Sequence, residues 1–141
     1  MNALYNLANC APTILVVDDD KSIVEFLCSA LEYKGCHVMS AEDGPAAIKM
    51  YKSNFTKIDL VIMDLLMPGM NGWEVLESMR IINHDLKAII ISGYQGMIER
   101  LEDFDNVSGL LHKPVTMEQL FDGIGQALMP ESQQPLSSSF A

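Results

Sequence analysis

Positive charge is scarce in this sequence. Nine Lys and Arg stand against nineteen Asp and Glu in 141 residues, a formal net charge of −10. Such a balance excludes a broad grip on a nucleic-acid backbone, which depends on Lys and Arg displacing counterions. The expected partners are cations or basic protein surfaces, with no direct nucleic-acid contact. Long apolar runs are missing as well. The longest are about four or five residues, far short of the roughly 20 that a membrane helix requires, so no membrane segment is expected. Cysteine is sparse: Cys10, Cys28 and Cys36 cannot all pair with one another, and no CxxC or Cys/His spacing surrounds a zinc ion. A reducing, cytoplasmic setting is the expectation. Leu7-Ala8-Asn9-Cys10 faintly resembles a lipoprotein cleavage site, but no basic residue precedes it and its apolar lead is too short for a signal peptide. No GxxxxGK[ST] loop occurs, and Gly123-Ile124-Gly125 lies inside a helical pattern and not after a strand, which removes two nucleotide-binding fingerprints.

What the chain does have is the material for a single core, being 49% hydrophobic and 20% charged. Short β-branched or apolar runs at 13–17, 37–39, 58–63, 87–91 and 109–111 read as five strands. Between them lie helical spacings: Ile23, Phe26, Leu27, Ala30 and Leu31; Ala47, Ile48, Met50 and Tyr51; Val75, Leu76, Met79 and Ile82. A weaker fourth uses Met97, Ile98, Leu101 and Phe104, and a fifth uses Met117, Leu120, Phe121, Ile124 and Leu128. Pro45 suits a first helical turn, Gly35 ends the first helix, and Thr116 with Gln119 forms a capping box. The nearly unbroken apolar character of 58–63 is that of a strand covered on both faces. The spacing therefore predicts an α/β domain, a doubly wound five-stranded parallel sheet of (βα)5 type, over residues 13–129. Neither 1–12 nor 130–141 shows periodicity, and they are expected to be an N-terminal extension and a flexible C-terminal tail or linker.

In an open parallel sheet, ligands bind beyond the carboxyl ends of the strands. The residues at those ends are Asp18-Asp19-Asp20, Asp64, Ser92, and Lys113 followed by Pro114. Carboxylates, a hydroxyl and an ammonium converging on one edge suit a hard cation and a phosphoryl group, because Mg²⁺ takes oxygen ligands and leaves room for phosphate oxygens. Two carboxylates about 4 Å apart repel by about 4 kcal/mol at an effective dielectric of about 20. Asp18, Asp19 and Asp64 clustered together thus call for a counter-ion, with Lys113 supplying one further positive charge. Asp20 reads instead as a helix N-cap.

These motifs carry a family resemblance. Ile14-Leu15-Val16-Val17-Asp18-Asp19-Asp20, Asp59-Leu60-Val61-Ile62-Met63-Asp64-Leu65-Leu66-Met67-Pro68-Gly69-Met70-Asn71-Gly72, Ile89-Ile90-Ile91-Ser92-Gly93 and Lys113-Pro114, in that order, closely resemble a response-regulator receiver domain of two-component signalling. The resemblance implies a flavodoxin-like sheet of strand order 2-1-3-4-5 and a phosphoryl-accepting switch in a phosphorelay. By position, it implies that Asp64 is phosphorylated by a partner's phosphohistidine or by a small acyl phosphate. Asp19, Asp64 and the backbone carbonyl of Leu66 would hold Mg²⁺, Asp18 would assist through water, and Ser92 and Lys113 would bind the phosphoryl oxygens. A cis Lys113-Pro114 bond is also implied. The implied donor is a sensor histidine kinase or histidine phosphotransfer protein, and the chain is expected to be a monomer or weak homodimer. It resembles either a stand-alone regulator or a receiver taken from a hybrid sensor histidine kinase, with kinase activity only in the latter's larger context.

Departures from the family pattern concern three positions. Three residues before the lysine, where the family usually carries an inward-swinging Tyr or Phe, stands Leu110. Either signalling uses the loop and helix after Ser92, including Tyr94, or Leu110 is simply an edge-strand core residue. Leu66 and Tyr94 lie two residues beyond the acceptor and the hydroxyl residue, where similar domains control water access; an apolar Leu66 and a bulky Tyr94 predict a long-lived phosphoprotein. Two rival readings are weaker. Asp18-Asp19-Asp20-Lys21-Ser22 also resembles the DxDx[ST] opening of haloacid-dehalogenase-type phosphatases, with Asp18 as nucleophile, but only an isolated Asp122 follows the lysine and Asp64 is left unexplained. A non-phosphorylated pseudo-receiver docking module would have substitutions at the acidic or lysine positions, and none is substituted. The ten methionines and the scattered His37, His84 and His112 read as structural, and Trp73 either covers the acidic edge or packs on a neighbour.

Overall fold

Each strand buries alternate residues in two separate cores. Ile14 and Val16 of β1 (Thr13–Val17), Leu60 and Ile62 of β3 (Leu60–Asp64), and Ile89 and Ile91 of β4 (Ala88–Ser92) face one cluster. Leu15, Val17, Val61, Met63, Ala88 and Ile90 face the other. Since side chains alternate along a strand, a run apolar at every position can only be satisfied by helices on both sides. α1 (Lys21–Tyr33) and α4 (Met117–Leu128) cover the first face, through Leu27, Leu31, Leu120 and Ile124. The second is covered by α2 (Gly44–Asn54) and α3 (Gly72–Ile82), through Ala47, Tyr51, Val75, Leu76 and Met79. β2 (His37–Ala41) and β5 (Val107–His112) are the edges of a wholly parallel sheet ordered β2-β1-β3-β4-β5. This is the expected doubly wound fold.

A computed structural model provides these elements and describes residues 11–93, 101 and 103–129. Met97 and Ile98 of the weak fourth helical pattern, Tyr94, nearly all of the expected extension and the whole of 130–141 lie outside the described residues. Helix boundaries follow local chemistry. Asp20 caps α1 by accepting from the Ser22 amide, and Gly35, at φ +94°, turns the chain after it. Asp43 caps α2 ahead of Pro45. Reciprocal capping boxes, Asn71 with Glu74 and Thr116 with Gln119, open α3 and α4.

Four of the strands have limits that differ from the periodicity. β3 starts two residues late because Ile58 still donates to Asn54 O and closes the turn after α2. β2 and β5 run longer than their apolar runs because backbone pairing continues past them, to Ala41 beside β1 and to Val107 and His112 beside β4. β4 includes Ser92, paired with His112. Trp73 packs on a neighbour and does not cover the acidic edge: it is fully buried, with its ring 4.9 Å from that of Phe104, over which the Arg80 guanidinium lies at 4.4 Å. His37, His84 and His112 are all exposed.

Gly123 sits inside α4, and a Cβ there would meet only ordinary contacts at 3.7–3.8 Å from Ile89 and Leu111. Gly123→Ala is therefore expected to stabilise the protein by about 0.5–1 kcal/mol through restricted unfolded-state freedom and helix propensity, read as an upward shift in thermal melting.

Candidate functional site

Four strands end beside one another at a single edge, and the polar residues gather there. Asp18 follows β1 directly, Asp64 and Ser92 are the last residues of β3 and β4, and Lys113 follows β5. Asp18, Asp64 and Ser92 are 2%, 4% and 1% exposed, so this polar group is sunk into the end of an apolar sheet. Lys113 Nζ lies 3.0 Å from Asp18 Oδ2 and 3.5 Å from Asp64 Oδ1, joining the first and third strands' carboxylates from the edge strand. Backbone contacts hold the frame: Lys113 N donates to Ser92 O, Asp18 N to Ala41 O, and Asp20 N to Asp18 Oδ1. The Lys113-Pro114 peptide is cis, as the resemblance implied.

One lysine does not balance this site. Burial, and then the charge of Asp18, push the Asp64 carboxyl up to about 6, although Lys113 and the Leu66 amide pull the other way. For Lys113, burial opposes the charge but is outweighed by Asp18 and Asp64, and its ammonium is held above the ordinary lysine value. Asp19 is exposed, and Asp18, Asp19 and Asp64 each offer an oxygen within 4.8 Å of the others. Three hard oxygen donors around an excess of negative charge fit a small divalent cation. Asp20 is not in this group; the Ser22 hydroxyl at 2.7 Å holds its carboxyl below the ordinary value, in keeping with capping.

The loop after Asp64 is shaped by glycine. Gly72 N donates to Leu65 O at 2.8 Å, closing residues 65–72 into a ring, and Gly69 turns it at φ +82°. A Cβ on Gly72 would lie 2.5 Å from Asp64 O and 2.9 Å from Leu65 Cα, so the first turn of α3 abuts the acidic residue's own peptide. Composition and motif spacing do not reveal that role; the only local signal is a glycine at the first helical position, where propensity disfavours it. Leu66, in this loop, is 57% exposed beside the carboxylates, while Leu110 is half-buried and packs against the α2/α3 core. Beside Lys113, an apolar groove of about 520 Å³ is lined by Ile23, Phe26, Leu27, Ile91, Pro114 and Val115.

A family model for the response regulator receiver domain matches residues 14–124. The chain belongs to that family. Response regulator MprA of Mycobacterium sp. (strain KMS) is 33% identical over 108 residues, 76% of this chain and 46% of that protein. The receiver domain thus spans about half the length of the curated relatives it matches. A receiver domain protein from Clostridium thermocellum superposes with a TM-score of 0.77 at 29% identity, covering 83% of this chain and 94% of its own. TrrA from Thermotoga maritima, solved in complex with Mg²⁺ and BeF, is 32% identical with a TM-score of 0.75, covering 83% and 99%. Among the described residues, no helix is long and apolar enough to cross a membrane.

A carboxyl raised from 3.8 to about 6 on folding contributes stability below about pH 4 that is lost as pH rises through about 6. Without metal, Asp64→Asn is therefore expected to be the more stable protein at neutral pH, by on the order of 1 kcal/mol after solvent screening is discounted. Paired thermal melts in chelator should show this gap opening between about pH 4 and 6 and closing below it. Added Mg²⁺ should reduce the gap at neutral pH.

Proposed function

We propose that this receiver domain is a phosphoryl-accepting switch with Asp64 as its acceptor. The observation that carries the reading is the position of Lys113 Nζ, within 3.5 Å of both Asp18 and Asp64, in an acidic site that one ammonium leaves under-neutralised. An oxygen of Asp64 attacks the phosphorus of a phosphohistidine on a sensor histidine kinase or histidine phosphotransfer protein. A P–O bond to Asp64 forms, the P–N bond breaks, and its electron pair leaves with the imidazole, which takes up a proton. Hydrolysis reverses the state: water attacks phosphorus, the bond to Asp64 breaks, and inorganic phosphate departs. Both steps are the domain's own chemistry on itself, with no separate turnover substrate.

Asp18, Asp19, Asp64 and the Leu66 carbonyl are the residues that would hold Mg²⁺, which supplies charge neutralisation for the phosphoryl oxygens. Lys113 has its charge fixed at the acceptor and pairs with one phosphoryl oxygen, while Ser92, ending β4 on the same edge, donates its hydroxyl to another. The apolar groove along α1 and Pro114 gives the donor protein a surface against which to bring its histidine to Asp64. Conversion of the carboxylate to an acyl phosphate changes the charge facing Ser92, and with it the bias on the segment that follows in sequence. With Leu110 packed in the core, that segment, including Tyr94, is the proposed readout.

Incubation with acetyl phosphate and Mg²⁺, followed by intact-mass measurement, tests this directly. One phosphoryl adduct is expected, absent in Asp64→Asn and in chelator. An adduct retained in Asp64→Asn but lost in Asp18→Asn would favour the phosphatase-like reading. If neither acetyl phosphate nor phosphohistidine donors give an adduct, the chain is a pseudo-receiver docking module. Exposed, apolar Leu66 is expected to slow the approach of water to the phosphoryl group, so Leu66→Asn should shorten the adduct's half-life several-fold, about 1 kcal/mol in barrier; an unchanged decay would remove this role.

A further inference from the structure

The acceptor loop is held at its far end by a residue that no phosphoryl chemistry involves. Gly44 opens α2, and a Cβ on it would lie 2.9 Å from Met70 Cβ, 2.9 Å from Val75 Cγ2 and 3.1 Å from Met70 Sδ. Cβ atoms do not sit that close to such neighbours, so a side chain at Gly44 would push against three bodies at once, α2 on one side and the loop and α3 on the other. Two are stiff. α2 is fixed by its Asp43 cap and by buried Ala47 and Tyr51, and Val75 is fully buried in α3. The third is the loop, where Pro68 and Gly69 are exposed and Met70 is half-buried. The Val75 contact can ease only through a small shift of α2 or of the Val75 side chain, and the larger displacement falls on Met70.

Met70 belongs to the ring closed by Gly72 N and Leu65 O, and Asn71 is tied to α3 by its capping box with Glu74. The capping box opposes a push on Met70 at Asn71, so the loop can yield only on its other side, through Gly69 and Pro68 toward Leu66. We infer that Gly44 is a positioning residue: by bringing α2 into backbone-close contact with Met70, it sets where the Leu66 carbonyl and Asp64 stand for the cation. The inference rests on the proposed reading of the site.

Calorimetric titration of the full chain with Mg²⁺, alongside thermal melts, tests it. Gly44→Ala is expected to weaken Mg²⁺ binding by about tenfold, as loss of an outer support does at other metal sites. Ile124→Val, which loosens the core on the opposite face of the sheet, should lower the melting temperature and leave Mg²⁺ affinity as in the wild type. If Gly44→Ala does not fold, Met70→Ala frees the same loop from the other side and should weaken binding likewise. Wild-type affinity in the folded glycine variant, or in Met70→Ala if that variant has to be used, would overturn the inference. An equal loss of affinity in Ile124→Val would also overturn it by assigning the effect to general stability. Failure of the wild type itself to bind Mg²⁺ would instead overturn the reading of the site, and this inference with it.

Discussion

The constraint on which the rest of the structure depends is the crowding of negative charge into a dry place. Asp18 and Asp64 are almost fully buried at the end of an apolar sheet, and a single ammonium reaches both. Burial and the neighbouring charge of Asp18 push the Asp64 carboxyl upward, a tension that Lys113 does not remove. Everything around the pair serves to keep it close. Parallel pairing of β1 with β3, and of β3 with β4, sets the strand ends side by side. The edge strand β5 delivers the lysine through a backbone bond to Ser92. A site so arranged is electrostatically incomplete, and a group that brings positive charge or removes negative charge changes its energy sharply.

Packing supplies the stiffness that this electrostatic arrangement needs. The two cores on either side of the sheet hold β1, β3 and β4 from both faces, leaving little freedom to the residues at their ends. The loop after Asp64 is anchored in the second core by Leu65 and Met67 and closed by the Leu65–Gly72 hydrogen bond, with glycines that let α2 and α3 come close. Trp73, at the start of α3, is stacked on Phe104, which ties the beginning of that helix to the turn leading into β5.

Much of this was legible in the sequence, because it depends on local order. Continuous apolar strands announce helices on both faces, and the polar residue after each run marks the binding edge. Asp20 could be separated from Asp18 and Asp19 by its place before a helical pattern, and the structure shows it capping. Limits of β2 and β5 were not legible, because partner strands carry the ladder past the apolar residues. Nor was the direction of Trp73, which is decided by Phe104, a partner distant in sequence. Gly44 and Gly72 look like ordinary turn residues until the atoms facing them are known. Contacts of that kind are properties of three elements meeting, and no window along one chain segment contains them.

The parallel sheet also divides the molecule by its tolerance of change. β1, β3, β4 and β5 deliver their chemistry at the carboxyl end, while the turns between α1 and β2, α2 and β3, and α3 and β4 all lie at the opposite edge. Lengthening one of those turns alters neither the spacing of the carboxylates nor the reach of the lysine. One edge is thus under tight chemical restraint and the other is open to drift, so inserted loops and fused partners are best accommodated on the side remote from Asp64.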